Sequence, residues 1–280
     1  MKSYSRTTLL SVLLVLSLSL PGFASDELFP DPNLEAAVRK NVFEKRNNDE
    51  PLTAEDVKDL SQVVAKGRGI KDLTGLEHCK RLALLDLEDN EISDLSSIAD
   101  LKYLQSLTLA KNRIRDISPL ANLTRLQYIE LSDNEVSDIS PLAALENMRS
   151  LYLSNNKIEN IGVVGNFKKL ASLYLAHNQV QDILPVSSIV RLSSLDVSHN
   201  QLSDISPLKP LNSLYRLNLA GNRLTDISIL AEMASEDADG QQRFSPFWSV
   251  DLRGNPLSEM SSKEHVATLK KHSTRITADQ

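Results

Sequence analysis

Apolar residues return along most of this chain in a fixed frame. From Leu82 to Leu257 the order L-x-x-L-x-L-x-x-N-x-I-x-x-I-x-x-L recurs, with asparagine at Asn90, Asn112, Asn134, Asn156, Asn178, Asn200 and Asn222, each 22 residues after the last, and Asn255 after a further 33. One copy reads Leu104, Leu107, Leu109, Asn112, Ile114, Ile117, Leu120. A fixed period of this length is the signature of a solenoid, in which each unit buries its core only against its neighbours. The L-x-L step is strand alternation, so Leu107 and Leu109 face inward and Ser106, Thr108 and Ala110 outward. The three-residue spacing of Ile114, Ile117 and Leu120 predicts a tight, 3₁₀-like return path. Asp-Ile-Ser-Pro-Leu recurs at 116–120, 138–142 and 204–208, and Ser before Pro marks where each return begins. The asparagine sits where the chain turns inward. Its amide both donates and accepts, so it is expected to satisfy backbone groups of its own and the adjacent turn, forming a ladder.

These motifs resemble leucine-rich repeats of the 22-residue form, closest to bacterial internalin-like proteins and to regulatory subunits of protein phosphatases built from the same repeat. The likeness spans roughly residues 30 to 276. It implies an α/β repeat solenoid: a curved, right-handed coil with a parallel concave β-sheet, a helical N-terminal cap and a short helical C-terminal cap. It also implies binding of other molecules on the concave strand face.

The segments outside the array fit that plan. Residues 1–24 carry basic Lys2 and Arg6, an apolar run from Leu9 to Leu20, and small residues before a cut after Ala24, the grammar of a secretory signal peptide. The run is too short to span a bilayer, which needs about 20 apolar residues. Residues 25–60 read as the N-terminal cap. Asp31-Pro32 starts a helix whose stripe is Leu34, Val38 and Val42, and Thr53 starts a second, flanked by a Leu52/Val57 hydrophobic staple. The sequences around Asp31–Val38 and Leu52–Val57 look like the internalin-type cap. The array runs over 61–257: a degenerate first turn, with Val63 and Ala65 at the strand positions and Arg68 in the asparagine slot, then eight repeats. The seventh repeat carries eleven extra residues near 234–246, read as a polar loop, after which Phe247 takes a core leucine's place and Trp248 covers the end of the core. Residues 258–280 are the C-terminal cap and tail, with a helix from Ser262 to Lys271 turning Val266 and Leu269 inward.

Function is sought on the outward strand positions, where packing does not dictate the residue. There Tyr152 and Tyr174 stand on adjacent strands, with Tyr128 one strand further and one row over, among short side chains such as Ser154, Ser172 and Ala176. His177 and His199 edge this patch, and Glu130 and Asp196 flank it. Tyrosines with an apolar body and a polar tip are favoured interface anchors and also stack on sugars. Tyrosine equally fills ordinary cross-strand pairs on an exposed strand. Two histidines with one carboxylate fall short of a zinc site, which wants three or four ligands. The carboxylates of the first repeats, Asp86, Glu88, Asp89, Glu130 and Asp133, suit a basic partner, calcium, or a solvated negative surface that keeps the solenoid soluble.

Composition narrows the choice. The chain is 280 residues, 41% hydrophobic and 24% charged, an ordinary globular balance. A net charge of −6 argues against nucleic acid as partner. One cysteine, Cys79, allows no intramolecular disulfide and no cysteine-rich metal site. No phosphate-binding glycine loop, nucleophile elbow or metal motif occurs. The expectation is a secreted or periplasmic monomer, non-enzymatic and without cofactor, that binds a protein or peptide, with an envelope glycan as a second candidate. A phosphatase regulatory subunit and a structural envelope protein are the alternatives, the first at odds with the signal segment.

Overall fold

Each repeat can form only a very short strand, because three residues of alternation separate two turns. In the computed structural model, which describes residues 27–273 and 275–279, ten such strands lie side by side among the described residues. They are β1 Gln62–Val64, β2 Leu84–Asp86, β3 Ser106–Thr108, β4 Tyr128–Glu130, β5 Ser150–Tyr152, β6 Ser172–Tyr174, β7 Ser194–Asp196, β8 Arg216–Asn218, β9 Ser249–Asp251 and β10 Arg275–Thr277. All neighbours pair in parallel and in sequence order. The register between β2 and β8 advances by one repeat, so Leu107 lies beside Ile129 and Tyr152 beside Tyr174. The middle residue of every strand from β2 to β9 is buried and its neighbours face the open side. The result is a curved leucine-rich solenoid. The proposed signal segment, residues 1–24, lies outside the described residues.

The return paths are short 3₁₀ segments such as Ser118–Leu120 and Ser206–Leu208. Eclipsed i and i+3 positions let Ile117 and Leu120 both point into the core. The serine begins the segment, and the aspartate two residues earlier caps it. The Ser118 N–H donates to Asp116 Oδ1 and its hydroxyl to Oδ2, both at 2.8 Å. The same pairing recurs at Asp94, Asp138, Asp204 and Asp226.

The asparagine ladder is present. Asn134 Nδ2 donates to Leu109 O of the previous turn (2.9 Å) and to Leu131 O of its own (3.0 Å), and its Oδ1 accepts from the Ile114 N–H (2.9 Å). Equivalent bonds are made by Asn112, Asn156, Asn178, Asn200, Asn222 and Asn255. All eight residues immediately before the ladder asparagines from Asn90 on have left-handed backbone, six of them at non-glycine positions: Asp89, Lys111, Asp133, Asn155, His177 and His199, with φ from 52° to 61°. Gly221 and Gly254 follow in the same column. Left-handed φ is costly for most L-residues and easiest for Gly, Asn and Asp.

The N-terminal end is closed by α1, Pro32–Arg39, and α2, Ala54–Val57. Asp31 caps α1 through the Asn33 and Leu34 N–H groups, and its other oxygen accepts from the Lys71 N–H of the first turn at 2.8 Å. The cap is thereby bonded to the array by the same carboxylate that starts its helix. Thr53 and Asp56 form a reciprocal capping box on α2.

The insertion differs from the expected loop. Helix α3, Ser228–Asp239, carries the chain through the return position and into the extra residues. Its last turn holds buried Asp237, whose carboxylate accepts from the Arg243, Phe244 and Ser245 N–H groups at 2.9 to 3.0 Å. Trp248, not Phe247, fills the core. Trp248 is fully buried with its ring edge-on to Phe244, whereas Phe247 is 69% exposed. The short 3₁₀ turn Ser245–Phe247 rotates the chain by one position before β9 and exchanges the two rings. At the C-terminal end a wide π-type turn, Ser261–His265, leads into α4, Val266–His272, with Val266 and Leu269 buried, and β10 then extends the sheet.

Candidate functional site

Parallel register brings the predicted tyrosines together. Tyr152 and Tyr174 occupy the same outward row of β5 and β6 and stack with centroids 4.8 Å apart and planes at 17°. Tyr128 occupies the other outward row of β4 and meets Tyr152 at 5.4 Å and 44°. All three rings are half-buried. The Tyr174 hydroxyl shares a 2.9 Å hydrogen bond with Ser194 Oγ. Burial pushes the Tyr128 phenol up to about 12, with Glu130 the next cause, and burial followed by Tyr174 raises that of Tyr152. The three rings form an apolar strip with hydroxyl tips.

His177 and His199 are exposed and stack face to face, centroids 4.2 Å apart and planes at 8°. They are neighbours in the row next to the asparagines, as expected from the sequence, but their left-handed backbone was not anticipated. Gly221 and Gly254 in the same column were the available signal. The column narrows beyond His199: a Cβ at residue 221 would lie 2.5 Å from the His199 Nδ1, so the ring rests over a glycine. Among the described residues no group of three or more His, Cys, Asp or Glu is placed to hold a metal ion.

Two of the flanking carboxylates are already engaged. Asp196 Oδ1 accepts from the Ser198 N–H and hydroxyl at 2.9 and 2.7 Å, and Oδ2 accepts from Asn218 Nδ2 at 3.0 Å. Glu130 Oε1 accepts from the Ser132 N–H at 2.8 Å. Acidic residues in this row secure the turn two residues on, as Asp86 and Asp251 also do. Asp196 and Glu130 thus position the strand ends beside the rings. In the first repeats Glu88 pairs with Lys66 (2.7 Å) and Lys111 (3.7 Å), and the Lys66 hydrogen bond lowers its pKa. Cys79 is buried, and burial pushes its thiol up to about 12, leaving it no thiolate character at neutral pH.

The face is open. A cavity of about 390 Å³ lies away from it, lined by Phe29, Pro32, Arg39 and Leu52 in the N-terminal cap. A shallow aromatic strip suits contact with an extended surface better than enclosure of a small substrate. Among the described residues no helix is long and apolar enough to cross a membrane.

Residues 104–144, 146–188 and 190–232 match the family described as Leucine Rich repeats (2 copies). No curated protein matches the chain. Among solved structures, an internalin (inlF) of Listeria monocytogenes is 28% identical with a TM-score of 0.76, the match covering 90% of this chain and 77% of that one. A second internalin of the same species, C2, is 26% identical with a TM-score of 0.70, covering 90% and 95%. A leucine-rich repeat protein of Leptospira interrogans shares the fold at 20% identity and a TM-score of 0.64, covering 81% and 62%.

Proposed function

Because the chain is a bacterial, internalin-like leucine-rich repeat protein, we propose that it acts by binding a protein or peptide on the concave sheet, with no chemistry of its own. Tyr128, Tyr152 and Tyr174 form the anchor, His177 and His199 its polar margin, and Glu130 and Asp196 the fixed shoulders. The observation that carries this reading is the three-ring ladder held half-exposed on a rigid sheet. Rigid aromatics lose little entropy on binding and dominate interface energetics. The reading includes export: the signal-like segment at residues 1–24 would deliver the domain outside the cytoplasm, where a phosphatase partner is not available.

The test is capture of partners from envelope and extracellular extracts by the wild-type chain and by a Tyr152→Ala/Tyr174→Ala variant. The expected result is a partner retained by the first and lost by the second. The variant should stay folded, with stability lowered by no more than about 1–2 kcal/mol for the lost stacking. A partner held equally by both proteins sinks the assignment of the site. Analysis of the N-terminus of the exported protein tests the cut after Ala24.

A further inference from the structure

The two ends of the sheet are finished differently. At the N-terminal end α1 packs beside β1. At the C-terminal end β10 is the last strand, and among the described residues nothing pairs with its outer edge. The register on β9 decides which backbone groups are left over. Arg275, Ile276 and Thr277 lie beside Ser249, Val250 and Asp251, and the Leu252 N–H donates to Thr277 O at 2.8 Å. In a parallel ladder alternate residues of a strand bond to the same neighbour, so the backbone groups of Arg275 and Thr277 face β9 and those of Ile276 and Ala278 face outward. A row of open N–H and C=O groups is a template for one more strand. The charges at this end are polarised along that row. Arg275 stands at its start and Asp279 at its end, both exposed. Among the described residues Arg275 has no ion pair or side-chain hydrogen bond. Asp279 uses only Oδ2, which accepts from the Gly254 N–H at 2.6 Å, while nearby Arg253 is held by Asp251. The last helix has the same character. It packs on α3 of the preceding turn, so its opposite, exposed side faces the same end as the open edge. Glu264 lies before α4, and Lys270 and Lys271 lie in its last turn, all exposed and outside any ion pair. Glu259 and Lys263 pair with each other (2.7 Å) and leave this balance unchanged.

We propose that the open edge of β10 binds β10 of a second copy of this chain, antiparallel about a two-fold axis through Thr277. This departs from the monomer expected of the sequence. The backbone row selects an extended polypeptide, and the charge order selects which one. An edge of one sign would repel its own copy; an edge that is positive at its start and negative at its end attracts that copy when it is reversed. In the register centred on Thr277, Ile276 of each copy faces Ala278 of the other, and each such pair exchanges both backbone hydrogen bonds. Arg275 then faces Asp279 of the second copy in the closer, non-hydrogen-bonded pairing, where opposite charges stabilise the contact. Shifting the register by two residues sets Arg275 against Thr277 and loses both ion pairs. The reversal also runs α4 antiparallel to its copy, so that the Glu264 end of one meets the Lys270–Lys271 end of the other. An axis normal to the sheet keeps both concave faces on the same side. The tyrosine ladders are therefore left open, and the interface is a site distinct from them.

The experiment is sedimentation equilibrium of the exported protein at concentrations up to about 1 mM, which registers even a millimolar dimer. The expected result is a monomer–dimer equilibrium for the wild type. Arg275→Glu and Asp279→Arg each set like charges together at both symmetric contacts, so each variant alone should dimerise about tenfold or more weakly. Mixed in equal amounts, the two variants are complementary at both contacts and should form a heterodimer as readily as the wild type dimerises. Ala278→Pro removes an outward N–H without touching the bonds to β9, and it should be monomeric with an unchanged circular dichroism spectrum. A wild type that is monomeric at every concentration overturns the proposal and leaves the edge to a strand from another protein. A dimer that survives Ala278→Pro or Arg275→Glu, or charge variants that keep the native spectrum yet fail to pair when mixed, overturns it equally. The tyrosine variant of the preceding section should dimerise like the wild type, so the two sites fail independently.

Discussion

Asn134 illustrates how much one side chain carries in this fold. It is buried, and its amide satisfies three backbone groups in two turns. Asn134→Ala should therefore cost about 2–4 kcal/mol, because orphaned buried groups lose their full desolvation compensation; chemical denaturation would measure it, and a loss below half a kilocalorie would show the groups find other partners. The role of the asparagine is legible from its period alone. The backbone of the residue before it is less so, because Lys111 and His177 are not typical left-handed residues and sit in a column shared with Asp, Asn and Gly. At Lys111, with φ of 56°, Lys111→Gly should be neutral within about half a kilocalorie, while Lys111→Val should lose about 1–2 kcal/mol of stability in the same assay. The engagement of Glu130 and Asp196 by nearby N–H groups was equally hidden. Sequence marks a carboxylate on a face but not which oxygen the next turn takes.

At the scale of elements, repetition made the strands and 3₁₀ returns readable, and departures from repetition made the rest obscure. The strand-return frame predicts nothing for a segment that occurs once. Residues 234–246 look polar and loop-like, yet Leu230, Met233 and Ala234 continue the apolar helical face that turns the first half into α3. The exchange of Phe247 for Trp248 follows from a single 3₁₀ turn that no spacing rule fixes. Asp237 holds this region. Burial alone would raise its pKa, but the three N–H bonds, led by that of Ser245, outweigh burial and lower it. Asp237→Ala should leave three N–H groups, two of them buried, without an acceptor, and hydrogen exchange across residues 240–248 should accelerate while the distant repeats stay protected. The N-terminal cap responds to acid. The Lys45 and Thr53 hydrogen bonds hold Asp56 at about 2, against about 3.9 in an unfolded chain. A depressed carboxylate stabilises the fold above its unfolded pKa and loses that contribution as pH falls towards its folded value. Proteolytic susceptibility of residues 45–58 should thus rise between about pH 4 and pH 2, and Asp56→Asn should show it already at neutral pH.

The whole molecule is a sum of turns and of interfaces between them. Removing one complete unit, residues 154–175, joins Leu153 to Ala176 in frame and should leave a shorter, cooperatively folded solenoid by circular dichroism. That protein would set Tyr152 beside Asp196 and lose the stacked pair, so partner capture should fail while the fold survives. Removing one residue fewer should abolish cooperative unfolding, because every later core position would leave the frame. The sequence also placed the tyrosine patch correctly at this scale, since register in a one-repeat-per-strand sheet follows from counting.

The asparagine bonds run in one direction along the chain. Each Asn donates to a carbonyl, and accepts from an N–H, in the turn before its own. A turn that has left the ribosome or a secretion channel N-terminus first is therefore still unlocked: Leu109 and Ile114 wait for Asn134 before their inward groups are satisfied. Each turn thus closes the inward hydrogen bonds of the one ahead of it, like a bolt shot backwards. The last bolt is Asn255, which closes on Leu219 and Leu224 across the insertion.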